Sequence, residues 1–144
     1  MPSALENLAG PGKPLRKEPP DTREFEGLRR SAKTRLVDAG RKEMALESRF
    51  DLAYGAAHAM CLAALRWHGF RPANRYIVFQ VLPHTLGVGP EVWRLLAKCH
   101  DLRNVSEYEG HLDINERLVV DLVTACRLVE EKLDTLEIPG TRSR

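Results

Sequence analysis

The chain has 144 residues, enough for one domain with its own core and too few for two. A hydrophobic fraction of 43% with 29% charged residues is that of a globular protein, and 6% aromatics argues against an aromatic-rich β-sandwich. A formal net charge of +2 is too small to attract nucleic acid through bulk electrostatics, so any such binding must come from a local cluster.

The first twenty residues, MPSALENLAGPGKPLRKEPP, hold five prolines and two glycines and show no periodic hydrophobicity. Proline removes a backbone donor and nothing apolar recurs to be buried, which predicts a flexible N-terminal tail over 1–20. The closing IPGTRSR reads the same way, so a single helical domain is expected over 21–137 with a flexible C-terminal tail over 138–144. The chain opens without a basic stretch leading into an apolar segment, and no apolar run approaches bilayer length. A soluble, cytoplasmic protein without membrane contact is the expectation.

Phe25, Leu28, Ala32 and Leu36 recur at helical spacing, with Asp21 or Thr22 as the cap and Gly40 at the end. A second, longer helix begins near Ser48 and stops at Gly69, its stripe formed by Phe50, Ala53, Ala57, Cys61, Ala64 and Leu65. Its alanines and Gly55 allow a neighbouring helix to come close. Arg71-Pro72 then imposes an extended residue and a turn. Asn74 can cap a short helix over RYIVFQVL, which Pro83 kinks or ends; the same segment has strand propensity but finds no second strand to pair with. Pro90 opens a fourth helix that Gly110 ends. Asp113 with Glu116 is the expected start of a fifth, striped by Leu118, Leu122, Ala125, Cys126, Val129 and Leu133. Long helices joined by short loops predict an all-α, up-and-down antiparallel bundle of four to five helices.

Cys61, Cys99 and Cys126 are odd in number, widely spaced and set among Ala, Leu and Val, which predicts reduced core thiols rather than disulfide or zinc frameworks. No HxxxH or HExxH spacing supports a metal site, GVGPEV at 87–92 lacks the strand and lysine of a phosphate loop, and no cofactor motif is present. Six basic residues between Arg29 and Lys42 face one acid, Asp38, while the segment 113–137 is rich in acids. The two regions either pair with each other or leave a basic stripe for RNA.

The remaining polar feature is Arg103-Asn104 in HDLRNVSEYEGH. Arg103 lies four residues after Cys99, seven after Leu96 and eleven after Val92, which places it on or beside the apolar seam of the fourth helix. A cation there is either neutralised, by Glu107 one turn on or by an acid on another helix, or kept to serve a ligand. Tyr54 and His58 share a face of the second helix, His58 reading as a hydrogen-bonded core histidine, while Trp67 and Trp93 read as core or dimer anchors.

The long Ala-rich helix FDLAYGAAHAMCLAALRWHGFRP, the short helix after it and the Arg-Asn pair in RNVSEYEG together resemble the HEPN domain superfamily over about Glu47 to Leu133. The resemblance implies a small dimeric helical bundle, found in toxin–antitoxin or defence systems beside a nucleotidyltransferase-type antitoxin partner. It implies RNA binding or metal-independent RNA cleavage, with Arg103, Asn104 and His111 as candidate catalytic residues and Tyr108, His100 and Glu107 as candidate substrate contacts. The family signature places a histidine after four to six intervening residues beyond the arginine. Here those spacings give Tyr108 and Gly110, and His111 comes only after seven. A general base for the ribose 2′-OH suits His, with its ordinary pKa near 6.5, far better than Tyr, near 10. The other reading is therefore a non-catalytic interaction or nucleotide-binding module of the same fold.

Overall fold

The computed structural model describes residues 3–138. Four long helices carry most of the chain: α2 (Thr22–Ala39), α3 (Leu46–Trp67), α6 (Pro90–Glu109) and α7 (Glu116–Asp134). Three short helices, α1 (Ala4–Asn7), α4 (Ile77–Gln80) and α5 (Leu82–Thr85), and two strands, β1 (Leu15–Lys17) and β2 (Phe70–Pro72), complete it. The chain is mainly helical, as its composition and periodicity predict.

The centre of the fold is α3, which packs most extensively on α2 and then on α7, and also meets α4 and α6. Its alanines explain that position. Ala53, Ala56, Ala57, Ala59, Ala63 and Ala64 are buried on more than one side, and a helix that is apolar nearly all round belongs inside. The outer helices are striped instead: Phe25, Ala32, Leu36 and Ala39 line the inner face of α2, and Val119, Leu122, Cys126, Val129 and Leu133 that of α7. Asp21 caps α2 by accepting from the Glu24 N–H at 3.1 Å, and Gly110 ends α6 in the left-handed conformation at φ 65°, which glycine adopts without a Cβ clash.

Two expectations are corrected. The last long helix, α7, is capped by Asn115, whose side chain accepts from the Leu118 N–H at 2.8 Å, not by Asp113. The N-terminal segment is not a tail over its described length. Ser3 and Glu6 close a capping box around α1, Leu5 and Leu15 are buried, and β1 pairs antiparallel with β2, Leu15 facing Pro72 and Lys17 facing Phe70. The prolines flank these short elements rather than interrupt them. Arg71-Pro72 is extended as expected, and its strand finds the partner the sequence did not reveal. The expected C-terminal tail lies, except for Ile138, outside the described residues.

The segment is held down by charge. Arg66, 2% exposed, donates from Nε to Glu24 at 2.6 Å, from Nη1 to the carbonyls of Glu18 and Phe70 at 2.9 and 3.2 Å, and from Nη2 to that of Pro19 at 2.7 Å. Arg71 bridges the carboxylates of Glu18 and Glu24, each at 2.7 Å. Burial alone would raise the Glu24 carboxyl, but the bonds from Arg71 and Arg66 outweigh it and hold it below the ordinary value. A buried guanidinium is tolerated here because every donor direction meets an acceptor.

The basic stretch of α2 divides between two fates. Arg29 pairs with Asp134 at 2.7 Å, and Lys33 reaches both Glu130 and Asp134 at 3.4 Å, tying α2 to α7. Arg35 points elsewhere, as described below. The three cysteines are free and buried, and burial pushes all three thiols up, that of Cys99 to about 12. Among the described residues no helix is long and apolar enough to cross a membrane.

Candidate functional site

A cleft of about 620 Å³ opens where α2, α3, the segment before α4 and α6 converge. Its floor is α3, which contributes Asp51, Tyr54, Gly55 and His58. Three arginines from three separate parts of the chain close on it: Arg35 from α2, Arg75 from the turn after β2, and Arg103 from α6. Among the described residues neither Arg35 nor Arg75 is paired with a carboxylate, and Asp51 is the one acid lining the cleft.

Arg103 lies on the seam of α6 one turn beyond the buried Cys99, as the spacing predicts, but at the end where the seam opens. Its side chain is 33% exposed. Nη1 donates to Asp51 at 2.5 Å, the guanidinium carbon stands 5.4 Å from the ring centre of Tyr54, and Glu107 is a loose 3.9 Å from Nε. Neutralisation thus comes chiefly from an acid on another helix, and the pair remains open to solvent instead of sealed.

Asn104 and His100 form a second layer. The Asn104 amide nitrogen donates to Nε2 of His100 at 3.0 Å, which leaves the ring proton on Nδ1, 2.9 Å from the Tyr54 hydroxyl. Both imidazole nitrogens are engaged, and Tyr76 packs edge-on against the ring. Burial lowers the His100 pKa, so the ring is neutral near pH 7. Burial also raises the phenol of Tyr54, while the guanidinium of Arg75 beside it works in the other direction.

The remaining residues singled out by sequence sit apart. Tyr108 is 91% exposed, about 140° round α6 from Arg103, and His111 is an exposed residue beyond the Gly110 turn. Glu107 is exposed on the cleft side of α6. The Arg103-Asn104 pair and His100 are therefore brought together, whereas Tyr108 and His111 face solvent.

Sequence reasoning missed Arg35, Asp51 and Arg75, and took His58 for a core histidine. His58 is half-buried in the cleft, edge-on to Phe79 with ring centres 6.1 Å apart, and makes no hydrogen bond among the described residues. Burial, followed by Arg75, His100 and Arg35, pushes its pKa down to about 4. Gly55 was the one signal available: a Cβ there would lie 3.0 Å from Nη1 of Arg35, so its missing side chain is the space the arginine occupies.

Two other hollows, of about 590 and 760 Å³, lie along the N-terminal segment and the β1–β2 pair; the polar side chains lining the larger include His68, which is already bonded to the carbonyl of Thr85 at 2.9 Å. Among the described residues, the cleft under Arg103 gathers three cations around two aromatic side chains. No group of three His, Cys, Asp or Glu side chains among the described residues is placed to share a metal ion. No protein-family model matches the chain, and neither does any curated protein or solved structure.

Proposed function

We propose that this chain is an RNA-binding protein of HEPN-like organisation that holds a phosphodiester in the cleft between α2, α3 and α6 without cutting it. The observation that carries the reading is the convergence of Arg35, Arg75 and Arg103 on one cleft with a single opposing carboxylate, Asp51. Guanidinium groups match phosphate oxygens in a planar fork, and each pays little extra desolvation in a half-open cleft. The buried Tyr54 ring lies under Arg103 and supports its guanidinium.

Cleavage needs a base free to take the 2′-OH proton; of the histidines that the resemblance singles out, His100 has both nitrogens committed and His111 stands on an exposed turn, so the non-cleaving part of the proposal rests on His58 acting as a phosphate ligand. The test is binding of a labelled oligoribonucleotide as salt is raised. Three arginine contacts to a single strand give a slope of log K against log salt of about −2, and Arg103→Ala reduces it by about 0.7. The oligonucleotide is recovered intact after prolonged incubation. Salt-independent binding, or an unchanged slope in Arg103→Ala, defeats the proposal; degradation by the purified chain defeats its non-cleaving part.

A further inference from the structure

We propose that His58 is a proton-linked anion ligand of this cleft, neutral while the cleft is empty and protonated when a phosphate group enters. The inference rests on the binding reading above and adds a residue and a regulation to it. His58 stands on the floor of the cleft that Arg35, Arg75 and Arg103 line, with Phe79 of α4 against its edge and, among the described residues, no hydrogen-bonding partner for either ring nitrogen. Neither nitrogen needs to break an existing bond to meet a ligand.

The charged and titratable groups around it can be named element by element. Arg35 faces it from α2, Arg75 from the turn before α4 and His100 from α6, Arg103 of α6 lines the same cleft, and Asp51 and Tyr54 share its own helix. Among the described residues Arg35 and Arg75 pair with no carboxylate, so burial first and the surrounding positive charge second keep the ring unprotonated. A phosphodiester reverses the larger part of that balance. It places a negative charge among the guanidinium groups, offsets their repulsion and offers an oxygen to accept from the imidazolium. The pKa of the ring then rises from about 4 towards its ordinary 6.5, and between those pH values binding takes up as much as one proton from water. Nothing is bonded or broken covalently. While protonated the ring donates to phosphate and cannot take the 2′-OH proton.

The probe is an oligouridylate without terminal phosphates, because neither its diesters nor its bases titrate between pH 5 and 8. Wild-type affinity strengthens by up to about tenfold per pH unit as the pH falls from 6.5 towards 5. His58→Gln keeps a polar side chain that cannot take up the proton, and its affinity is flat over that range. Imidazole resonances of the wild-type chain provide the second measurement: saturation with the probe moves the His58 titration up by at least one pH unit, independent of any variant's folding. A flat wild-type profile, an equal slope in His58→Gln or an unmoved His58 titration overturns the inference while leaving RNA binding standing. Absence of binding at every pH overturns the binding reading and this inference with it.

Discussion

The guanidinium of Arg35 lies across Gly55, its Nη1 3.0 Å from the place a Cβ on that residue would take. The helix-breaking residue in the middle of α3 is therefore the seat of a cleft arginine. Gly55→Ala tests this directly. Alanine is the better helix former by up to about 1 kcal/mol, and the atom it meets is the far end of a flexible side chain, so the melting temperature should rise or hold. Oligoribonucleotide binding should weaken, since Arg35 is pushed out of line. A variant that is more stable and binds equally well would show that Arg35 does not need its seat.

Asp51 is the competitor inside the cleft. It accepts from Arg103 at 2.5 Å, and an entering phosphate has to take its place. Asp51→Asn removes the opposing charge while keeping a hydrogen-bonding group. The pair is solvent-exposed, so the fold loses at most about 1 kcal/mol, and affinity for an anionic ligand should rise on the order of fivefold. Equal or weaker affinity, measured at fixed salt, would mean that Asp51 positions Arg103 rather than blocking it.

How far the sequence led can be seen at Arg103. Its distance from Val92, Leu96 and Cys99 placed it on the seam, and those three residues are indeed buried. Its partner Asp51 is 52 residues away, and no local pattern connects them. Arg35 and Arg75 were equally hidden, because each is an exposed polar residue on its own element and becomes part of a site only through tertiary packing, Arg35 by the crossing of α2 on α3 and Arg75 by the docking of the turn before α4 beside α3. The N-terminal segment failed for a related reason. Leu5 and Leu15 are single anchors without a period, buried by a strand that lies more than fifty residues on, and periodicity cannot report such a contact. At Asn115 the failure was local: two good capping residues lie two apart, and the hydrogen bond to Leu118 chose the second.

Arg66 is the bolt of that N-terminal segment. Replacing it with Met keeps much of the volume but leaves the carbonyls of Glu18, Pro19 and Phe70 without their donor and Glu24 without one of its two arginines. Removing one partner of a buried charged network costs about 3–5 kcal/mol. Limited proteolysis of Arg66→Met should cut first within residues 8–20, before the helices are attacked. Cleavage of the variant at the same rate and places as wild type would show that β1 and Leu5 hold the segment without the arginine.

Acid should unfold the chain in two stages, and the direction of each follows from the residues involved. His58 is depressed in the fold to about 4 against an ordinary 6.5, and His100 is lowered in the same sense, first by burial. The fold therefore favours the neutral rings. Their contribution is complete above pH 6.5 and declines as the pH falls towards 4, because in that interval the unfolded chain binds protons that the folded chain refuses. The carboxyls act lower. Hydrogen bonds from Arg71 hold Glu18 below its ordinary value, and at Glu24 and Asp134 the arginine and lysine partners outweigh a burial effect of opposite sign. Their contribution is complete above the usual carboxylate range and is lost only as the pH drops below about 4. Urea unfolding at intervals from pH 7.5 to pH 3 should show stability falling first between 6.5 and 4, then more steeply. His58→Gln should remove part of the upper decline and leave the lower one in place. A wild-type profile that stays level down to pH 4 would mean that the His58 ring is not confined among the cleft arginines.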